Sequence, residues 1–310
     1  MTALICGSFA YDNIMTFQDR FKHHILPDKV HILNVCFLVP AMRKEFGGCA
    51  GNIAYNLKLL GGEGKPMGTV GSDFKPYADC MDKVGVSRDY LFEIDDAYTA
   101  QAFITTDLDD NQITAFHPGA MDFAHQQAVP AQDGISLGLI SPDGRDAMIQ
   151  HAQQFFDAGI PFIFDPGQGL PMFDGEDLMT FIKQATYVTV NDYEAQLLKE
   201  RTGLSESQIA EHVQALIVTQ GAQGSMVYTS QQEMHIPAVK VSDLQDPTGC
   251  GDAYRAGLIF GIMNGMDWET SCRIASLMGA IKIQYHGTQN HSFSLNDFKQ
   301  QFEQAYGYQF

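Results

Sequence analysis

A glycine-rich turn in the C-terminal third of the chain combines residue types that bind phosphate and remove a proton. It reads Asp246-Pro-Thr-Gly-Cys-Gly-Asp252 and precedes a long apolar segment. Gly249 and Gly251 permit a tight turn into a helix, where unpaired backbone amides would converge on an anion. The Asp252 carboxylate can accept a proton from a hydroxyl at the same point. An ordinary glycine turn with an aspartate cap is the alternative, and this segment alone does not decide between the two.

The longer segment 246–257 resembles the C-terminal signature of the ribokinase-like (PfkB) sugar and nucleoside kinases, usually written D-T-x-G-A-G-D-x-F-x-A-G. The resemblance implies ATP-dependent phosphoryl transfer with Asp252 as the catalytic base. It also implies that the transferred group is stabilised by the backbone amides of the turn. These amides belong to Gly249, Cys250 and Gly251.

Two residues depart from this signature. Pro247 replaces the usual threonine, and Cys250 replaces a small residue and so adds a thiol to the anion-binding turn. The base and both glycines are intact, so activity is expected. The family resemblance further implies that Thr248 contacts the nucleotide and that a monovalent cation such as K⁺ binds near Asp246.

The N-terminal half carries a second element in the order that the family has. Gly47-Gly48-Cys-Ala-Gly-Asn52 resembles the family motif G-G-x-x-x-N, in which the glycines admit substrate hydroxyls and the asparagine binds them. Ser8 and Asp12 follow the first predicted strand, where the family places a substrate-binding aspartate. A carboxylate there can accept two vicinal hydroxyls. Read alone, this motif is weak, because glycine pairs are common before helices.

Two further motifs resemble the family's nucleotide side. Asn191 and Glu194 match its N-x-x-E motif, which organises Mg²⁺ through phosphate-bound water, and Mg²⁺ prefers such oxygen ligands. An asparagine cap followed by a glutamate is also an ordinary helix start. Thr219, Gly221 and Gly224 resemble the family's turn under the ATP phosphates. Together the motifs compose a phosphoryl-transfer site with ATP and Mg²⁺.

The substrate is predicted from the segment around Phe103 and Phe116, which is more similar to bacterial adenosine kinases than to ribokinases. In those kinases two aromatic rings enclose the purine, and such ring pairs contribute about 0.5–1.5 kcal/mol beyond burial. Gln168, Arg255 and the string 287–290 match the same branch. The prediction is therefore phosphorylation of the 5′-hydroxyl of adenosine. Hydrophobic lining of a hairpin is the alternative interpretation of either phenylalanine.

Two other functions stay open on the sequence. A sugar kinase acting on ribose or fructose would use the same motifs. A nucleoside-binding sensor without catalysis would result if Cys250 disabled the anion-binding turn.

The motifs require a scaffold, and the rest of the chain predicts one. Short apolar runs alternate with helical patterns, which is typical of an α/β fold with a mostly parallel sheet and helices on both faces. The predicted strands are Ala3–Cys6, Ser136–Ile140, Phe162–Phe164, Tyr187–Val190, Leu216–Thr219 and Ser225–Thr229. The predicted helices are Gly51–Leu60, Arg145–Ala158, Asp174–Gln184, Asn191–Thr202, Ser205–His212, Gly251–Met263 and Asp267–Tyr285.

Two segments, 13–46 and 98–117, do not fit the alternation and predict a small antiparallel lid inserted in a single kinase domain spanning 1–310. Their strand-like runs are His31–Phe37, Gln101–Thr105 and Gln112–Ala115, the last two joined by a hairpin turn at 109–111. The strand-rich stretch 30–39 would also allow a homodimer through the lid, although a monomer is equally compatible.

Composition limits the partners. A formal charge of −18 argues against nucleic acid, whose phosphates need a basic surface. No apolar run approaches the roughly 20 residues of a membrane span. The six cysteines show no paired spacing and are expected to be reduced, in the cytoplasm. The expected partner is a small nucleoside or sugar.

Overall fold

The structure is a computed structural model that describes residues 1–32, 34–109 and 111–310. Its strands are Thr2–Cys6 (β1), Ala10–Thr16 (β2), Ala41–Gly47 (β3), Glu63–Gly71 (β4), Tyr90–Ile94 (β5), Ala100–Thr106 (β6), Gln112–His117 (β7), Ile135–Ile140 (β8), Phe162–Phe164 (β9), Tyr187–Asn191 (β10), Ala215–Thr219 (β11), Ser225–Tyr228 (β12) and Glu233–Ile236 (β13).

The α-helices are Cys49–Leu59 (α1), Lys75–Val84 (α2), Arg145–Asp157 (α3), Gly175–Gln184 (α4), Asp192–Thr202 (α5), Glu206–Ile209 (α6), Cys250–Met263 (α7), Trp268–Lys282 (α8) and Leu295–Tyr306 (α9). Short 3₁₀ helices cover Phe21–His23, Pro27–Ile32, Gly119–Gln126, Gly167–Met172 and Gly221–Gln223.

The main sheet has nine strands in the order β13-β12-β11-β10-β9-β8-β1-β4-β5, and only its β11-β12-β13 edge is antiparallel. The predicted α/β class is therefore confirmed. Buried apolar residues cover both faces of the parallel strands, as expected when helices pack on each side. The carboxyl ends of parallel strands meet at one edge, which is where such sheets bind ligands.

The sequence did not predict every element of the structure, and the elements missed are β2, β3, β4, β5, β13, α2 and α9. Strand β4 contains one lysine, one proline and three glycines, residue types that are uncommon in strands and therefore weaken the strand pattern of its sequence. Strand β5 exposes part of both faces, so its alternation is faint. Helices α2 and α9 have apolar faces that pack in the core, through Tyr77 and Met81 in α2 and through Phe298 and Phe302 in α9.

A second sheet of four strands, in the order β3-β2-β6-β7, forms the lid. The predicted runs 101–105 and 112–115 are strands of this sheet and pair antiparallel. The predicted hairpin turn at 109–111 includes Asp110, which lies outside the described residues. The predicted strand 31–37 is wrong: Pro27–Ile32 is a 3₁₀ helix and residues 34–40 form no strand, while Leu33 lies outside the described residues.

The lid strand that the sequence misplaced is β3, which pairs with β2 along its whole length. Its residues Met42 to Glu45 are charged or exposed, so hydrophobicity did not reveal it. The described residues of 30–39 form no strand, so the homodimer through the lid stays a prediction without a paired edge to support it. Among the described residues, none of the helices has the length and apolar character needed to cross a bilayer.

Candidate active site

Two helix starts meet at the carboxyl edge of the main sheet. Gly48 caps α1 with φ 86° and Gly249 caps α7 with φ 78°, a backbone region that favours glycine. A side chain at Gly48 would also lie 2.5 Å from the carbonyl oxygen of Ser8. One glycine of each predicted motif is thus required by the backbone, Gly48 at the start of α1 and Gly249 at the start of α7.

The predicted base and the predicted hydroxyl-binding asparagine are in direct contact. Asn52 Nδ2 donates a hydrogen bond of 2.7 Å to Asp252 Oδ2. Burial raises the pKa of Asp252 to about 6, and the Asn52 amide opposes part of that rise. In this structure Asn52 therefore orients the carboxylate, in addition to any contact with substrate.

Gln289 continues this network and was recognised in the sequence only as part of a similar string. Its amide nitrogen donates to Asn52 Oδ1 at 2.9 Å and also to the hydroxyl of Tyr77. Tyr77 is buried and donates to the carbonyl of Gly47 at 3.0 Å. The base is thus linked through three side chains to the glycine pair on the substrate side.

The anion-binding turn differs from its prediction at one amide. The Cys250 amide donates to the carbonyl of Pro247 at 3.1 Å, so it is not available to an anion in this conformation. In the part of the chain that the structure describes, the amides of Gly249, Gly251 and Asp252 have no protein acceptor. They lie at the positive end of α7, so the turn has free donors that can bind an anion.

The Cys250 thiol is partly buried, and burial raises its pKa to about 11. It is therefore a neutral thiol near pH 7 and places no negative charge beside the anion-binding turn.

A buried ion pair supports the same turn. The Arg255 guanidinium donates to Asp165 through Nη2 at 2.9 Å and Nε at 3.1 Å, and both side chains are buried. Asp165 follows β9, so the pair ties α7 to the sheet edge. Arg255 Nη1 also lies near Gly251, at ordinary van der Waals distance (3.4 Å) from the position that a Cβ of this residue would take. The sequence marked Arg255 as typical of a family branch but gave it no partner.

The substrate side is built on β2 and the start of α1. Burial, together with the nearby carboxylates Glu45 and Asp246, raises the pKa of Asp12 to about 6. A side chain on Gly47 would come within 2.6 Å of Asp12 Oδ2, so this glycine leaves room for the carboxylate. Ser8 has a structural role here: its Oγ accepts from the Cys49 amide at 3.2 Å.

The two lid phenylalanines lie on opposite faces of the lid sheet. Asp12 pairs with Ala102 across β2 and β6, and Ala102 pairs with Phe116 across β6 and β7, so these three share one face. Phe103 pairs with Ala115 and points to the other face. In this conformation the two rings therefore do not face the same side of the lid sheet, because adjacent strand positions alternate, and enclosure of one base by both rings stays a prediction. Only Phe116 shares the face of Asp12.

The nucleotide-side residues come together at the sheet edge. Asn191 and Thr219 are directly paired at the ends of β10 and β11. Gly221 and Gly224 have φ of 55° and 103°, and a side chain at Gly224 would clash with the carbonyl of Ile236. The turn thus requires both glycines. Gln168 lies in the 3₁₀ helix after β9, exposed at the same edge.

Glu194 caps α5 together with Asn191. Glu194 Oε2 accepts from the Asn191 amide and its Oε1 from Asn191 Nδ2, both at 2.8 Å. Burial raises the pKa of Glu194. Within the described ranges no group of three or more acidic, histidine or cysteine side chains converges on a metal position. A single carboxylate with free lone pairs fits a Mg²⁺ that is held mainly by phosphates and water.

All three oxygens of Asp246 have protein donors. Its Oδ1 accepts from the Thr248 amide and its Oδ2 from the Gly287 amide, both at 2.9 Å. The backbone oxygen accepts from Lys282 Nζ at 2.7 Å. Thr248 itself is exposed at the rim of the turn. The monovalent cation predicted at Asp246 does not fit this arrangement, because a lysine ammonium already lies there.

Comparison with known proteins agrees with the fold. Residues 16–294 match the profile of the pfkB family of carbohydrate kinases. The chain is similar to a nucleoside kinase of Methanocaldococcus jannaschii, with 30% identity over 83% of this chain and 85% of that protein. Its fold is similar to the nucleoside kinase of Burkholderia thailandensis in complex with inosine, with a TM-score of 0.91, 53% identity and 99% of both chains covered. The same Burkholderia kinase in complex with ADP-inosine gives a TM-score of 0.88 and 55% identity over 99% of this chain and 97% of that one.

Proposed function

The chain belongs to the pfkB family of carbohydrate kinases, and we propose that it transfers the γ-phosphoryl group of ATP to the 5′-hydroxyl of a purine nucleoside. The observation that carries this proposal is the contact between Asn52 and Asp252 at the start of α7. It places an oriented carboxylate beside free amides, which is the arrangement needed to deprotonate a hydroxyl and to receive a phosphoryl group.

The mechanism follows from the residues on each side of that contact. Asp252 accepts the proton of the 5′-hydroxyl, whose oxygen attacks the γ-phosphorus, and the β–γ bridging oxygen leaves with ADP. The free amides of Gly249 and Gly251 and the positive end of α7 stabilise the negative charge on the transferred group. Asn52 holds the carboxylate toward the incoming hydroxyl, which lowers the cost of orientation during the reaction.

The nucleotide and its metal are assigned to the other end of the site. We place the ATP phosphates over the turn from Thr219 to Gly224, next to Asn191. Bound Mg²⁺ would shield the phosphate charge and is assigned to Glu194 through water. This assignment uses one buried carboxylate and needs no cluster of ligands.

Asp12 is the proposed ligand of the ribose hydroxyls. Its carboxylate lies on the site face of the lid sheet, and the missing side chain at Gly47 leaves space beside it. Phe116 shares this face and can cover one side of the base. Gln168 at the sheet edge is proposed to contact the nucleoside as well.

Adenosine and inosine are the nucleosides proposed for this site, and a cytoplasmic location is part of the proposal. The lid sequence favours adenosine, whereas the similar Burkholderia kinase has been solved in complex with inosine. Both observations support a purine riboside as the class of substrate. A sugar kinase is the alternative, because the chain is also similar to a ribokinase of Bacillus subtilis, at 25% identity over 82% of this chain and 86% of that protein.

A panel assay tests the proposal. ADP release is measured with Mg·ATP and adenosine, inosine, guanosine, cytidine, ribose or fructose, and the product is identified as the 5′-monophosphate. The expected result is turnover with purine nucleosides far above that with free sugars. Preference for ribose or fructose would establish a sugar kinase instead, and tight nucleoside binding without ADP release would establish a sensor.

A further inference from the structure

Lys282 is a buried lysine that has no role in the mechanism above. It is the last residue of α8, and its side chain has no exposed surface. An ammonium group is strongly hydrated, so its burial is unfavourable unless other groups replace its water. A fully buried lysine beside the anion-binding turn therefore needs a physical reason.

The groups that replace this water are carbonyl oxygens. Lys282 Nζ donates to the backbone oxygens of Asp246 at 2.7 Å and Tyr285 at 3.1 Å. Among the described residues its ammonium forms no salt bridge within 4.0 Å. Burial lowers the pKa of Lys282, and the nearby Asp246 carboxylate opposes part of this change by favouring the charged form. The C-terminal end of α8 adds a favourable dipole. Carbonyl oxygens in place of hydration water are also the environment that K⁺ takes in proteins.

The same contacts fix the turn that carries the base. The amides of Gln245 and Asp246 both donate to the carbonyl of Ile283, at 2.9 and 3.1 Å, just after Lys282. Asp246 in turn accepts from the Thr248 amide. The path from the ammonium through Asp246 and Thr248 thus leads directly to Gly249, the cap of α7.

We propose that the Lys282 ammonium is a built-in replacement for a monovalent cation, which fixes the turn 246–251 and makes turnover independent of K⁺. Lys282 is a positioning residue in this proposal, since it acts on the phosphoryl group through the turn and the helix that starts there. The proposal rests on the kinase function given above. It accounts for the poor fit of a monovalent cation at Asp246, because the Lys282 ammonium lies at that position.

The first test uses the unaltered protein. Nucleoside phosphorylation is measured at constant ionic strength in tetramethylammonium, sodium or potassium chloride, and the thermal midpoint is measured in the same three salts. We expect turnover to change by less than about twofold and the midpoint to be the same in K⁺ and Na⁺, because no cation position is left to fill. Activation by K⁺ of about tenfold or more, or a K⁺-specific rise of the midpoint, would overturn the proposal.

The second test removes the Lys282 ammonium and asks whether a free cation can take its place. Lys282→Ala removes the ammonium and leaves space beside the two carbonyl oxygens, so turnover in tetramethylammonium should fall by about tenfold or more, as expected for a lost charge-assisted hydrogen bond. Ammonium or potassium ions should restore part of the activity and raise the thermal midpoint of the variant. Lys183→Ala is the matched control, because Lys183 is also in the last turn of a helix but is exposed.

The midpoint measurements separate this proposal from the kinase function. If no nucleoside is phosphorylated in any salt, the proposed function fails, while the K⁺ response of the midpoints still decides the role of Lys282. If Lys282→Ala is as active and stable as Lys183→Ala in every salt, the ammonium is not needed at the turn and the inference is wrong. Should Lys282→Ala not fold, Lys282→Met is tested for lost turnover, and the unaltered protein still gives the deciding comparison.

Discussion

The two sides of the candidate site are held in different ways. The side of Asp252 is fixed by buried contacts from several elements, including the Asn52 amide and the pair of Arg255 with Asp165. The lid side presents Phe103 and Phe116 with exposures of 42% and 51%, on a sheet with little packed against its outer strand. The groups proposed to perform the chemistry are thus held in place before substrate binds, whereas Phe116, which is proposed to cover the base, is exposed in this structure.

The largest effect is expected from a change of the proposed catalytic base on the fixed side. Asp252→Asn keeps the shape and the neighbour of the side chain but removes its basicity, so kcat should fall by on the order of 10²–10⁴, as for loss of a general base. Nucleoside affinity should change little, because the lid is untouched. Single-turnover kinetics and nucleoside titration measure the two effects separately.

The control for this change is another aspartate in the first turn of a helix. Asp146 lies in the first turn of α3 with a largely exposed side chain, so Asp146→Asn should leave kcat within about twofold, as is usual for surface substitutions. A fully active Asp252→Asn protein would contradict the assignment of the base.

The second change tests whether the fixed side is held by its ion pair. Arg255→Met leaves the Asp165 carboxylate buried and unpaired, and breaking such a pair typically costs about 3–5 kcal/mol of unfolding free energy. Denaturant unfolding measures this loss. The double variant Arg255→Met with Asp165→Leu should recover much of the stability, since apolar replacement of a buried pair is often neutral.

If Arg255→Met alone is as stable as the unaltered protein, the pair is not what secures α7 to the sheet edge. The fixed side would then be held by the hydrogen-bond network of Asn52 and Gln289, without a contribution from the ion pair.

The pH dependence of turnover should show the separate effects of one carboxylate on each side of the site, Asp252 on the fixed side and Asp12 on the lid side. Burial raises the pKa of both Asp252 and Asp12 to about 6. The base works only when deprotonated, so kcat at saturating nucleoside should be level above that pKa and fall about tenfold per pH unit below it. The profile of kcat/KM should fall more steeply, because Asp12 also loses its charge.

Asp12→Asn distinguishes these contributions. It should raise KM and remove the steeper part of the kcat/KM profile, while the acid limb of kcat remains. A kcat that stays level down to pH 4 would exclude a carboxylate base with a pKa near 6.

The sequence predicted the fixed side well and the open side poorly, for physical reasons. Gly48 and Gly249 must be glycines because of their backbone angles, so their motifs are visible in the sequence. Long-range partners such as Asp165 for Arg255 have no local signal, since the two residues are 90 positions apart. The lid strand β3 is largely exposed, so it has no hydrophobic pattern, and a single-residue register decides which phenylalanine faces the site.

That register gives the smallest and sharpest prediction. Phe116→Ala and Phe103→Ala remove the same side chain from the same hairpin, at similar exposure, but on opposite faces. Phe116→Ala should raise KM for a purine nucleoside about threefold to tenfold, the loss of one aromatic contact worth about 0.5–1.5 kcal/mol. Phe103→Ala should leave KM within the error of the assay, since its ring lies on the face away from Asp12. Equal increases in both variants would mean that the lid encloses the base with both rings after all, by a change of register or by closure that this conformation does not contain. Because kcat depends on the fixed side, it should remain unchanged in both.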